Sequence, residues 1–196
     1  MNDLSILSII MQLSDSKNPI LAHGRRVARL ACVFAQVMGC SGDVSKIIHH
    51  ASVVHDIGKI SLPAEVINKA GPLDDKELTL VRKHAEIGHD LLQAIRYNPD
   101  VARVVLQHHE RLDGSGYPFG LRGQDIVPEA KIVALADVVE SMLSPQVYRP
   151  ALSMDETIRQ IKQNSGLLYD PKAVAAALTV IEDRDFNSGH LFRQEI

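Results

Sequence analysis

Apolar positions along this chain recur at three- and four-residue spacing, and a period of two appears nowhere over a useful length. The pattern therefore predicts helices and no sheet. Residues 3–14 show it first. Asn18 followed by Pro19 reads as an N-cap with proline at the first helical position, and the amphipathic run ILAHGRRVARLACVFAQVMG follows until Gly39 closes it. Further helices are expected over 43–55, over LPAEVINK, from the acids at Asp74 and Asp75 in one piece through Ile95, and from Pro99 to the double histidine. Residues 111–128 read as loop, because four glycines and two prolines fall there. Helices over 129–143, Asp155 to Asn164 and Pro171 to Val180 complete an all-α bundle.

Several polar residues interrupt the apolar faces. Val27, Leu30 and Phe34 follow His23 at helical spacing, and Ile48 and Ala51 stand behind His55. Leu80, Gly88 and Leu91 share a stripe with His84. His108 and His109 end the apolar run RVVLQ, and Asp137 is the lone charge in IVALADVV. Asp56, beside His55, would be a buried carboxylate unless paired or metal-bound. Each of these alone is as well explained by a satisfied core residue. Five histidines and two aspartates on the apolar faces of separate helices are better explained by convergence in the bundle interior, where metal sites are built. One ion takes about four protein ligands, so seven imply at least two ions with an aspartate shared. Imidazole and carboxylate without thiolate suit Fe, Mn, Zn, Co or Ni rather than Ca or Mg. His49, His50 and His89 lack this apolar context and read as surface or supporting residues, and His190 lies in a polar tail.

The totals narrow the partners. A chain of 196 residues with no Trp and few aromatics needs an aliphatic core. A net charge of −3 argues against binding a long nucleic-acid backbone, though not against a small anion. Cys32 and Cys40, eight apart on one expected helix, would lie about 12 Å from each other, too far for a disulfide. Buried, inert thiols in a reducing cytoplasm are expected. No apolar run approaches a membrane span, and no signal peptide is read at the N-terminus.

The ordered set H…HD…H…HH…D, with HDIGK from His55 and HHERLDGSGYPFG from His108, closely resembles the HD-GYP domain, a branch of the HD phosphohydrolase superfamily. The likeness runs from about His23 to Asp170 and Pro171. It implies an HD-domain helical bundle with a Gly/Pro-rich GYP loop that hydrolyses cyclic di-GMP to linear pGpG, or on to GMP. By this resemblance His23, His55, Asp56 and Asp137 hold one ion, Fe or Mn first. Asp56 bridges to a second ion held by His84, His108 and His109. Lys59 contacts the scissile phosphate, Tyr117 lines the substrate pocket, and Arg149 contacts phosphate. Two neighbouring cations would lower the pKa of a water between them and stabilise the leaving oxygen, and the ring of Tyr117 could stack on a base.

The chain departs from the family pattern in three places. Pro19 stands where some members place a glutamate for a third metal, so two ions are expected. Glu140 replaces the second aspartate of the late motif, and Gln146 replaces a phosphate-binding arginine. Two alternatives stay open: a metal-loaded, weakly active module whose GYP loop engages a partner such as a diguanylate cyclase domain, and a phosphodiesterase for a related cyclic dinucleotide. The expected organisation is an N-terminal helix over 1–17 that packs on the domain or forms a homodimer contact, a catalytic domain over 18–182, and a tail over 183–196.

Overall fold

The protein is described by a computed structural model over residues 18–145 and 150–183. The expected helix at 3–14, the tail beyond Asp183, His190, Gln146 and Arg149 all lie outside the described residues. Nine helices follow within them: α1 (Pro19–Val37), α2 (Gly42–Val54), α3 (Ala64–Ile67), α4 (Asp75–Arg82), α5 (His84–Ala94), α6 (Pro99–Gln107), α7 (Pro128–Leu143), α8 (Met154–Gln163) and α9 (Pro171–Ile181). Short 3-10 turns cover Ile57–Ser61 and Gly123–Asp125. The described residues contain no strand, only isolated bridges between Asp113 and Arg122 and between Ser165 and Tyr169.

Local chemistry starts these helices where the sequence places them. Asn18 accepts the Ile20 N–H at 2.9 Å ahead of Pro19. Asp74 and Glu77 close a reciprocal capping box at the start of α4. Asn98 accepts the Asp100 N–H at 2.9 Å, and Asp170 that of Lys172 at 2.9 Å. The apolar stripes then pack. Helix α1 lies against α2, α7 and α9, and α2 against α6 and α7. Phe34, Leu30, Ile48, Val105, Leu135 and Ile181 are fully buried between them. Burial of each such side chain is worth about 1.5–3 kcal/mol, which is what holds helices of this length together.

The expected single helix from Asp74 to Ile95 is instead two, with the break at Lys83. The imidazole of His84 takes the carbonyl of Val81 at 2.7 Å, and Lys83 N–H tightens onto Leu80 at 3.1 Å. Val81's carbonyl thereby serves a side chain rather than the continuous helical ladder, and the turn that results aims His84 inward. The cysteines also differ from expectation. Helix α1 ends before Cys40, and both thiols are half-buried rather than buried, though both are free. Cys32 Sγ lies 3.8 Å from His49 Nδ1.

Two glycines set the approach of the elements that carry the polar cluster. A Cβ on Gly24 would stand 2.2 Å from the Val53 carbonyl oxygen, so α1 and the end of α2 touch backbone to backbone beside His23. A Cβ on Gly58 would stand 2.0 Å from the carbonyl oxygen of His84 and 2.7 Å from Gly88 N. Neither neighbour is a flexible side chain, so a methyl group forces the helices apart. Gly58→Ala is expected to lower stability by about 1–3 kcal/mol and to reduce metal uptake. Urea unfolding and metal analysis of the variant check both.

Candidate metal centre

The polar cluster lies where α1, α2, α5, α6 and α7 meet the turn at Ile57–Ser61. His55, Asp56, His84, His108 and Asp137 are buried, and His23 and His109 are half-buried. One ligand atom from each of Asp56, His84, His108 and His109 falls within 4.8 Å of the others, and so does one from each of His23, His55 and Asp56. Asp137 Oδ1 lies 3.0 Å from His23 Nε2 and 3.7 Å from His55 Nε2. The structure thus brings together all seven residues that the sequence singled out, in two groups that share Asp56.

Three of the imidazoles are oriented alike. His55, His84 and His108 each donate Nδ1–H to the carbonyl three residues earlier, on Ser52 (2.7 Å), Val81 (2.7 Å) and Val105 (2.6 Å). That bond fixes the tautomer and turns an unprotonated Nε2 toward the cluster, as in metal-ligating histidines. His84 Nε2 is 3.2 Å from Asp56 Oδ1, and His55 Nε2 is 3.5 Å from Asp56 Oδ2.

His23 is held differently. Its Nδ1 meets Glu140 Oε2 at 2.7 Å while Nε2 faces Asp137. Glu140 is fully buried and also accepts from Arg26 Nε at 2.5 Å and Ser144 Oγ at 2.6 Å.

His109 has neither kind of support. No hydrogen bond reaches its ring from the described residues, and its position is set by packing. The ring of Tyr117 stacks on it with centroids 4.6 Å apart, and His84 meets it edge-on at 5.0 Å. The Arg82 guanidinium lies 5.4 Å from the Tyr117 ring. The loop is clasped in place at Gly116, where a Cβ would stand 2.5 Å from the His109 carbonyl oxygen. That same carbonyl accepts the Tyr117 N–H at 3.2 Å. Tyr117 therefore buttresses His109. Tyr117 is not among the residues that line the neighbouring cavity.

The electrostatics of most of these groups suit coordination, with His23 the exception. Burial pushes His84 below the usual histidine range and pushes His108 and His109 well below it, with neighbouring imidazoles adding to the effect at His108. Burial acts against ionisation of Asp56, but Lys59 and His55 overcome it and hold the carboxyl well below its usual value. Asp137 is likewise held low against burial by its bond to His23 and the charge of the surrounding histidines. Neutral imidazoles and ionised carboxylates are the states a metal requires. Lys59 Nζ sits 2.6 Å from Asp56 Oδ2.

The fit to a metal is tested by two atoms. His55 Nε2 and Asp56 Oδ1 are buried without a hydrogen-bond partner. Such an atom costs about 1–3 kcal/mol when left unmade, and both point into the space that the seven residues enclose. A cation there satisfies both.

Glu140, Arg26 and Glu110 contribute more than the sequence suggested. Glu140 appeared only as a departure from a pattern, and Arg26 was visible only as a cation one helical turn after His23. Glu110 is buried and accepts the N–H groups of Phe119 (2.8 Å) and Leu121 (2.9 Å), which folds the GYP loop back over the histidines. An acid directly after the double histidine was the available signal. His49 and His50 lie on the surface and His89 is half-buried, all outside the cluster.

A model of the HD domain matches residues 8–173. The cyclic di-GMP phosphodiesterase response regulator RpfG of Xanthomonas campestris pv. campestris is 40% identical over 155 residues, covering 78% of this chain and 41% of the relative. The 3'3'-cGAMP-specific phosphodiesterase 1 of Vibrio cholerae is 33% identical over 156 residues, covering 79% of this chain and 36% of the relative. The chain thus spans about two-fifths of the length of these curated relatives. Among solved structures, Bd1817, an HDG"Y"P protein from Bdellovibrio bacteriovorus, superposes with a TM-score of 0.71 at 20% identity over 93% of this chain and 58% of the other.

Two outcomes follow from this geometry. Tyr117→Phe keeps the stacked ring and is expected to retain the wild-type metal content, whereas Tyr117→Ala is expected to lower it, as read by elemental analysis. In the metal-free protein, burial opposes the charge on His23, but Asp137 and Glu140 raise its pKa from 6.5 to about 10. A raised value contributes stability that is fully present below the unfolded pKa and is lost as pH climbs through the folded one. That contribution should fade between about pH 6.5 and about pH 10, and His23→Gln should remove it. Urea unfolding of chelator-treated protein across that window measures the difference.

Proposed function

This chain belongs to the HD-domain family, in its HD-GYP branch, and on that footing we propose that it is a metal-dependent phosphodiesterase that opens cyclic di-GMP to linear pGpG. The observation that carries the reading is the pair of ligand groups meeting at one buried carboxylate, Asp56, with unpartnered donor atoms facing the space between them. His23, His55, Asp56 and Asp137 would hold one transition-metal ion, and Asp56, His84, His108 and His109 a second. Pro19, at the mouth of the cavity, offers no ligand atom for a third. Iron or manganese fits this nitrogen and oxygen donor set, and zinc, cobalt and nickel share the preference. When bound, such ions acidify water and neutralise phosphodiester charge.

The chain's own residues supply the rest. Beside the cluster lies a cavity of about 450 Å³, lined by His23, Asp56, Lys59, His109 and Asp137 and walled by Ile20 and Ile67. That volume is within the range of small-ligand sites, roughly 300–1,000 Å³. Hydrolysis joins a water oxygen to phosphorus and breaks the bond to the ribose 3′ oxygen, which leaves with a proton. Negative charge grows on the phosphoryl oxygens as this happens. Lys59, on the cavity wall, is a fixed cation close to that charge. Asp56 and Asp137 stay ionised throughout, because their surroundings hold their pKa values low.

Residues 18–182 constitute the catalytic unit in this reading, and a cytoplasmic setting suits an intracellular messenger as substrate. The relative named for 3'3'-cGAMP makes that dinucleotide the second substrate to test. The protein, loaded with Fe or Mn without oxygen, is incubated with each cyclic dinucleotide and the products are separated by chromatography. Linear dinucleotide is expected, and Asp56→Asn should lose both bound metal and turnover. Fully metallated protein that yields no linear product would overturn the enzyme reading in favour of a binding module.

A further inference from the structure

Two cationic side chains line the cavity beside the cluster, and they come from different elements: Lys59 from the turn at Ile57–Ser61 and Arg26 from α1. Lys59 is engaged with Asp56 at 2.6 Å. Arg26 is placed differently. Its Nε donates to Glu140 Oε1 at 2.5 Å, and that same oxygen accepts from Ser144 Oγ at 2.6 Å. Glu140 is wholly buried, so the guanidinium is anchored by a rigid partner at its inner edge. This bond uses one of five N–H donors. Among the described residues nothing accepts from Nη1 or Nη2, the side chain keeps 28% of its surface exposed, and it is one of the residues that line the cavity.

A cyclic dinucleotide carries two phosphodiesters, of which only one is cut at a time. The other is a full negative charge that must enter the same cavity. We infer that Arg26 anchors the second, uncut phosphodiester of the cyclic dinucleotide, donating from its Nη groups to the phosphate oxygens. The inference rests on the proposed function. A planar guanidinium matches two phosphate oxygens at once, which a lysine does not. Glu140 then serves two ends of one site: its Oε2 orients His23 and its Oε1 orients the phosphate anchor.

The test exploits the number of phosphates. Bis(p-nitrophenyl) phosphate carries one phosphodiester and occupies only the position that is cut. For metal-loaded Arg26→Gln, kcat/KM for cyclic di-GMP should fall about tenfold or more, chiefly through KM. That for bis(p-nitrophenyl) phosphate should stay within about twofold, with metal content unchanged. Arg26→Lys, which keeps the charge and loses the fork, should fall in between. Equal loss on both substrates, or loss of metal, would mean that Arg26 acts only by supporting Glu140 and His23, and would overturn the inference. So would no loss on either substrate. A wild-type protein that cleaves bis(p-nitrophenyl) phosphate yet neither binds nor cleaves cyclic dinucleotides would defeat the proposed substrate itself, and is a separate result.

Discussion

Asp56 is a carboxylate buried almost completely at the meeting point of five helices, and the rest of the molecule is arranged around keeping it charged. Taking an ion out of water is costly unless partners replace the hydration. Here Lys59 replaces part of it at one oxygen, while the other is left with no hydrogen bond at all. A purely structural role would not leave that atom bare. Three of the imidazoles around it, those of His84, His108 and His109, are driven toward neutrality by burial, so they present lone pairs rather than protons to the same space. Negative carboxylates and neutral nitrogens facing one another form an arrangement whose missing member is a cation.

The histidines of the cluster are held in three distinct ways. His55, His84 and His108 are tied to carbonyls three residues earlier in the chain, so their orientation is as firm as the backbone. His23 depends on Glu140, a side chain from a distant helix, and so on the packing of α1 against α7. His109 depends on the stacked ring of Tyr117, and through it on the whole GYP loop, which Glu110 folds back. The loop is thereby part of the support of the His/Asp cluster. Glu140, longer by one methylene than the aspartate expected there, reaches His23, Arg26 and Ser144 together. What looks like a conservative change in charge is a change in what one carboxylate connects.

Four of the helices were legible in the chain because they begin on a local signal that needs no tertiary help: Asn18 before Pro19, Asp74 with Glu77, Asn98 before Pro99, Asp170 before Pro171. The seven cluster residues were legible because each breaks an apolar stripe that could otherwise be buried without cost. Periodicity alone said that they face the interior, and the ordered HD and GYP motifs singled them out as one set.

The break at Lys83, the supporting part played by Glu140 and the inward turn of Tyr117 were not legible. In each case the deciding interaction joins atoms whose separation no local pattern encodes. His84 captures a carbonyl that an uninterrupted helix would have used, Glu140 reaches a histidine 117 residues away in sequence, and Tyr117 lies flat on His109 because the glycine before it lets the loop close on that residue's backbone. The sequence by itself determined which residues are polar on buried faces, and therefore that a charged interior had to be reconciled. Only the packing of the helices decided which atoms meet, because a distance between side chains on different elements exists only once those elements have docked.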